Sequence, residues 1–596
     1  MSFTPTSCYS RTGYPVSTKP FLPLGWTADR QVLRQDGTWI MVDGFIGNGG
    51  SARPLPVNDK KEEQLRRLLQ LYEKGGLEFL RQLRGSFCLA LWDAQASRLL
   101  LAVDHFGTRP MYYWSGGGML VFAPRISCFS YRHEIPRAID VNALFFYLNH
   151  SFIPAPFTIY KDIKRLEPGQ VLIWEKGRVV VQWHWDMNYD EDEGIREMDA
   201  AATVRSAVEE SLRFLLRNES HTNDQRGAFL SGGTDSSTVV GLMSEITGVR
   251  TNSFSVGFAE EQYNEIDYAR IAAKHFNSQA HEHFVRAPEA LEAMSLIAQQ
   301  YDEPFGNSSA IPTFVCLKMA RDAGIEVMFA GDGGDELFAG NERYITEKVF
   351  SLYHRIPPRL RKVTNFAAKV FPSVYPWRKF RNYVYKANQP AIDRFFAYQL
   401  YIRDHAGEFL TFDFRDMLNF DFPLEIPRRQ YERMGNASPL NRLLYVDLKL
   451  AIADNDLFKV NRMAECQGIQ VRYPYLDPIV AAVSSKIVTA LKLKGWQKRY
   501  IFKKAFADLL PREILQKKKH GFGLPTGHWL RTDPGFRELA RSLLLEPRSL
   551  QRGYFNRAAL EKLLRMHDEE RSAYYGTHIW NFMMLELWHR NFVDER

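Results

Sequence analysis

At 596 residues, 45% hydrophobic and 24% charged, the chain has the make-up of a soluble globular protein and is too long for one ordinary core, so two or three domains are expected. The formal charge of +8 is small for this length and, if dispersed, suits anionic substrates and does not argue for nucleic acid. Five cysteines without C-x-x-C spacing exclude a disulfide framework and a zinc site, no apolar run is long enough to span a bilayer, and Met1–Pro20 is too polar for a signal peptide, so a cytoplasmic protein with no membrane partner is expected.

The first 190 residues read as β-rich with two helices. Glu62–Tyr72 is amphipathic, and Gly76–Arg84 continues as a short helix. Cys88–Trp92 and Leu99–Val103 are apolar strands joined by the turn 93–97, and Met111–Trp114 and Met119–Ala123 flank a glycine turn. Gln170–Trp174 and Val179–Trp183 predict another hairpin. The acidic stretch Asp190–Glu197 reads as a linker, because it is polar and ends where helical periodicity begins. From residue 199, short apolar strands (Gly227–Leu230, Thr251–Val256, Val327–Ala330) alternate with helical stretches, which predicts a parallel α/β sheet with ligands at the strand carboxyl ends. Beyond about residue 345 the chain is mostly helical, and Phe395–Tyr401 reads as helical core, with a peptide cleft as the alternative.

The most informative run is Ala228-Phe229-Leu230-Ser231-Gly232-Gly233-Thr234-Asp235-Ser236-Ser237. A buried strand ends at Leu230, two glycines allow a sharp turn, and a helix opens at Asp235. Free amides at that helix N-terminus suit an anion. Neither a lysine after the glycines nor G-x-G-x-x-G is present, so the common phosphate loops are excluded. An aspartate inside a phosphate cradle is repulsive unless a divalent cation intervenes, and Mg²⁺ favours carboxylates with phosphate oxygens.

Four further segments add charge or backbone groups. Ser253–Phe258 is a second strand whose end could read an adenine edge. Asp302-Glu303-Pro304-Phe305 precedes a helix, and its paired carboxylates could serve a pyrophosphate-bound cation or a substrate amine. Gly331-Asp332-Gly333-Gly334-Asp335-Glu336 follows an apolar strand, and three acids among glycines imply a cation or substrate between them. Lys517-Lys518-Lys519-His520-Gly521 would, alone, be a solvated face; beside a phosphate site it suits neutralisation of developing charge.

In order and content these segments resemble the asparagine synthetase family: S-G-G-x-D-S, D-E-P-F-x-x-S-S, G-D-G-G-D-E-L-F-x-G, Leu457–Met463, Arg472–Asp477 and K-x-G-F-G-x-P. The resemblance implies an N-terminal Ntn-type αββα glutaminase-like domain over 1–190 and a Rossmann-like ATP-pyrophosphatase synthetase domain over 199–596, with a helical C-terminal part. It further implies ATP and Mg²⁺ as cofactors. Asp235 and Asp335 would hold the metal; Ser231, Gly232, Gly233 and Ser236 the pyrophosphate end of ATP; and Leu230, Val256 and Gly331 the adenosine. Lys519 aligns with the family's intermediate-stabilising lysine. Asp332 takes the position of a carboxylate, or in some relatives a tyrosine, near the attacking amine. The front half departs from the pattern, since Ser2 stands where the nucleophilic cysteine belongs and Asp43-Gly44-Phe45 replaces N-G-E. Cys8 would serve only if a short leader were cleaved.

The implied chemistry is activation of a carboxylate as an acyl-adenylate with release of pyrophosphate, then amine attack and loss of AMP. A retained scaffold without glutaminase activity would make the enzyme glutamine-independent. Macrolactam closure of a peptide, as in lasso-peptide cyclases, is the favoured substrate class, ahead of the ring closure of β-lactam synthetases. Amidation of aspartate from ammonia or glutamine, and a catalytically dead scaffold, are the alternatives. A homodimer or association with a precursor peptide stays open.

Overall fold

The computed structural model describes residues 21–23, 31–33, 36–48, 61–370, 375, 377–517, 524–570 and 573–594. Ser2, Cys8 and Lys519 lie outside the described residues.

The front part is built on two sheets. Six strands, β2 (Gln31–Leu33), β3 (Trp39–Asn48), β4 (Leu83–Asp93), β5 (Arg98–Val103), β9 (Gln170–Glu175) and β10 (Arg178–Trp183), form an antiparallel sheet in the order β10-β9-β5-β4-β3-β2. Four others, β1 (Phe21–Pro23), β6 (Tyr112–Gly116), β7 (Met119–Ala123) and β8 (Lys164–Arg165), form the second in the order β1-β7-β6-β8. Alternation along β4 and β5 divides their side chains between two cores. Leu89, Leu91 and Leu100 face the amphipathic helix α1 (Lys61–Gly75), while Cys88, Ala90, Leu99 and Leu101 meet Leu120 and Phe122 of the second sheet. Tyr112 and Val121, on the far side of that sheet, pack in the core that contains α2 (Val141–His150). The layers are therefore helix, sheet, sheet, helix, as expected. The short helix ends at Gln82 instead of Arg84, because Arg84 already belongs to β4.

The acidic connector has no regular structure but is anchored. Glu191 accepts hydrogen bonds from the Asn441 amide (2.8 Å) and the Thr489 backbone (3.0 Å). After it come α3 (Glu197–Arg217), β11 (Arg226–Phe229), α4 (Thr234–Thr247), β12 (Asn252–Phe258), α5 (Ile266–His275), β13 (Gln279–Val285), α6 (Ala287–Ala298), α7 (Ala310–Asp322), β14 (Val327–Phe329), α8 (Gly334–Phe338), α9 (Glu342–His354) and β15 (Gln470–Arg472). The strands form one parallel sheet in the order β13-β12-β11-β14-β15. From β11 the chain winds outward through β12 and β13, and β14 then starts the other half. The order reverses between β11 and β14, where a doubly wound sheet opens a ligand crevice.

The remaining chain is helical. One long helix runs from Pro439 to Gln467, and its turns widen to a π-helix over Leu448–Asp456. Such widened turns are frequent at functional sites. Phe395, Phe396 and Leu400 are buried in the main core, whereas Ala397 and Tyr398 are exposed, so that stretch is core on one side only.

Candidate active site

A cleft of about 490 Å³ opens at the carboxyl ends of β11, β12 and β14, at the reversal point of the sheet. Leu230, Ser231, Gly233, Asp235 and Ser236 come to it from the β11–α4 turn, Val256 from β12, and Gly331, Asp332 and Asp335 from the β14–α8 turn. Each turn is short because a helix starts within a few residues of the strand end, so every turn delivers its side chains to the same rim.

The β11–α4 turn is organised by its own hydroxyls. The Ser236 hydroxyl accepts from the Ser231 amide (3.1 Å) and lies 3.1 Å from the Ser231 hydroxyl, whose oxygen also accepts from the Gly233 amide (3.3 Å). Gly232 has φ +66°, and a β-carbon there would lie 2.4 Å from the backbone of Tyr268 and Ala269 on α5. No side chain caps α4, so its N-terminal amides are available to an anion. Gly232 is thus a hinge of the turn, and its neighbours line the cleft.

Asp235 and Asp335 converge from the two turns, and the guanidinium of Arg499 joins them, donating to both carboxylates. Arg499 itself sits in left-handed backbone (φ 53°) just before the helix Tyr500–Ala505. Two carboxylates that share one positive group fit the donor set expected of a Mg²⁺ site. Among the described residues no cluster of three or more metal-ligating side chains is formed, so phosphate oxygens and water would complete such a site.

On the opposite wall the long helix brings in Asp456 and Lys459, 2.8 Å apart. Burial alone would lower the Lys459 ammonium pKa, but the carboxylates of Asp456 and Asp332 more than offset it and raise it. Asp332 is pushed up to about 6, chiefly by burial, with Lys459 acting in the opposite sense. Lys498, Lys503 and Lys517 complete a cationic margin. Lys517 donates to the Ser231 carbonyl (3.3 Å) and to Glu265 (3.0 Å), so the first lysine of the run reaches the turn.

Asp302 and Glu303 do not reach the cleft, which corrects the expectation that they serve a cation or an amine. Both are buried at the seam with the front sheets. Asp302 lies 3.5 Å from Arg462 and accepts from the Ser127 amide, and Glu303 lies 3.4 Å from Arg165. Burial would raise Asp302, but Arg462 and Arg125 hold it below the usual carboxylate range. Burial dominates at Glu303, which rises to about 7. The motif Arg472–Asp477 is likewise support: Arg472 pairs with Glu219 at 2.6 Å, and the Tyr475 hydroxyl donates to the Asp235 carbonyl at 3.0 Å. Arg499 and Lys503 escape a reading of the sequence, since a Lys/Arg-rich stretch carries the same signature as a solvated surface, and Asp456 falls just outside the Leu457–Met463 motif.

Comparisons with known proteins agree with this layout. Residues 204–590 match the family described as asparagine synthase, and residues 63–185 match the glutamine amidotransferase domain family. An asparagine synthetase (glutamine-hydrolysing) of Bacillus subtilis is 27% identical over 571 residues, spanning 94% of this chain and 86% of its own. A putative asparagine synthetase (glutamine-hydrolysing) of Mycobacterium tuberculosis is 26% identical over 544 residues, 88% of this chain and 79% of its own. A third, from Methanocaldococcus jannaschii, is 30% identical over 366 residues, 58% of this chain and 69% of its own.

Proposed function

This chain belongs to the asparagine synthase family and is an ATP-dependent carbon–nitrogen ligase, and from that premise we propose that its cleft activates a carboxylate as an acyl-adenylate, which an amine then attacks. The observation that carries this reading is the convergence of an uncapped helix N-terminus, two facing carboxylates and the buried cations Lys459 and Arg499 at one rim.

The carboxylate must approach a polyanion, so repulsion is the main obstacle. The α4 amides with Ser231 and Ser236 hold the pyrophosphate end of ATP, and Leu230, Val256 and Gly331 lie along the adenosine. Asp235 and Asp335 would hold Mg²⁺, which would screen the phosphate charge once bound. Arg499 then exchanges its carboxylate partners for phosphate oxygens, and Lys519 steadies the charge that develops at the α-phosphorus. Asp332 accepts the proton of the attacking amine, with Lys459 setting its basicity. Holding both reactants in one cleft contributes a further proximity effect, up to about 7–11 kcal/mol of the barrier.

Because Asp43-Gly44-Phe45 stands where the glutaminase pattern has N-G-E, we read the front 190 residues as a retained scaffold, with nitrogen from ammonia or from an amine on the substrate. Closure of a peptide macrolactam is the substrate class we favour. The glutamine-hydrolysing names of the relatives favour a second reading, amidation of aspartate. Carboxylate-dependent exchange of pyrophosphate into ATP tests activation. No exchange with aspartate or any carboxyl-bearing peptide would overturn the proposal. Product mass with ammonia against glutamine separates the nitrogen sources, and glutamine-dependent product lost in Cys8→Ala would refute the scaffold reading.

A further inference from the structure

The positive charge of the chain is not dispersed. Residues 355–389 contain nine arginines and lysines and no acid, which exceeds the net +8 of the whole molecule. This stretch forms two helices, Pro358–Val370 and Trp377–Ala387, that pack on each other and on α9. With α9 they enclose a small core separate from the main one, with Phe350 and Tyr353 of α9 and Val384 and Ala387 of the second helix at its centre.

The outer face is apolar as well. Leu360, Val363, Phe366 and Val370 recur at three- and four-residue spacing along the first helix, each between 56% and 69% exposed, and Tyr375 and Trp377 continue the patch. Arg359, Lys362, Arg378 and Lys379 are exposed beside them and have no carboxylate partner among the described residues. The Lys379 ammonium lies 5.0 Å over the Tyr375 ring. A folded domain seldom leaves such a contiguous apolar stripe to water unless a partner covers it.

We propose that this basic helical hairpin docks the protein on an anionic lipid surface, with the cations on headgroups and Leu360, Val363, Phe366 and Trp377 at the acyl boundary. The combination of aliphatic and aromatic side chains with unpaired Lys and Arg is that of an interfacial amphipathic segment. A nucleic acid would use the cations and stack on rings, but would leave the aliphatic stripe bare. An acidic protein would need a matching apolar ridge as well, whereas a bilayer meets both demands at once. No helix among the described residues is long and apolar enough to cross a membrane, so the docking is peripheral. α9 begins beside Arg343 at the cleft rim and ends at the hairpin, and its 13 residues place the cleft about 20 Å from the docked face.

Sedimentation of the full-length protein with phosphatidylglycerol-containing vesicles, against pure phosphatidylcholine, tests the proposal. The protein should partition onto the anionic vesicles only. Arg359→Glu/Lys362→Glu/Lys379→Glu should weaken binding by at least about tenfold, and so should Val363→Ser/Phe366→Ser, which keeps every charge. Circular dichroism checks that both variants, altered only at exposed positions, remain folded. Absence of wild-type binding to anionic vesicles would overturn the idea. So would binding unchanged by the serine pair and competed away by polyglutamate or an oligonucleotide, which would mark a soluble polyanion instead.

Discussion

The Arg84 guanidinium grips one oxygen of the Asp477 carboxylate with two N–H groups, at 2.7 and 3.0 Å, across the seam between the front sheet and the synthetase helices. Both side chains are buried, and Arg84 also lies 3.9 Å over the Phe214 ring. Asp477 in turn accepts from the Ile479 amide (2.9 Å) and caps the helix Pro478–Lys486. Removing one partner strands the other charge away from water. Arg84→Met should therefore lower stability by about 3–5 kcal/mol, read from urea denaturation. Adding Asp477→Asn should restore part of the loss, and additive effects would mean the pair is not coupled.

Asp335 reaches its position because Gly333, in left-handed backbone (φ 92°), turns the chain so that α8 opens at Gly334. Asp335→Asn keeps the shape and removes the charge. AMP formation should fall by more than about a hundredfold while the melting curve keeps its cooperativity. Added EDTA should bring the wild type to the same level. Unchanged turnover in the asparagine variant would refute a metal-binding role.

Asp332 should impose a pH limb on one half-reaction only. Its carboxyl is pushed up to about 6, chiefly by burial. A base must be ionised to accept a proton, so amide formation should decline as pH falls through about 6. Carboxylate-dependent pyrophosphate exchange, which precedes amine attack, should lack that limb. Asp332→Asn should cut amide formation by about 10²–10⁴-fold and spare exchange. A limb shared by both half-reactions would remove Asp332 from the role.

Lys492 predicts a pH effect on stability. It is fully buried, donates to Asn441 (3.0 Å) and Ser484 (3.1 Å), and burial lowers its pKa to about 7. In the unfolded chain the group keeps its proton up to about pH 10. Between those values the unfolded state binds the extra proton, so this residue's contribution rises with pH, by at most about 1.4 kcal/mol per unit. Lys492→Met should be stabilising at neutral pH, with the advantage shrinking toward pH 10. A constant difference across that range would contradict the shift.

The parts of this molecule that were legible in sequence are those where backbone chemistry dictates composition. The β11–α4 turn needs Gly232 and small hydroxyl residues, and the strands Arg226–Phe229 and Val327–Phe329 are central and therefore apolar. β13 escaped notice because it is an edge strand, with exposed Gln279, Ala280 and Glu282, and lacks the apolar run of a central strand. Asp302 and Glu303 misled for a different reason: a carboxylate pair reads alike whether it meets a cation or the guanidinium groups of Arg462 and Arg165, which lie more than a hundred residues away in the chain. Burial of Arg499 between two acids depends on such long-range packing too.

Gly232 and Gly248 offer a paired test of the phosphate cradle, since both have left-handed backbone, with φ +66° and +69°. Alanine at either carries the same conformational cost, about 1–2 kcal/mol. Their surroundings differ. A β-carbon at Gly248 meets nothing within 4 Å, whereas at Gly232 it meets the α5 backbone at 2.4 Å. Gly248→Ala should thus lower stability slightly and leave pyrophosphate exchange intact. Gly232→Ala must displace the turn, and a shift near 1 Å is enough to cost exchange about a hundredfold. Equal exchange rates in the two variants would show that the turn does not hold the reacting phosphates.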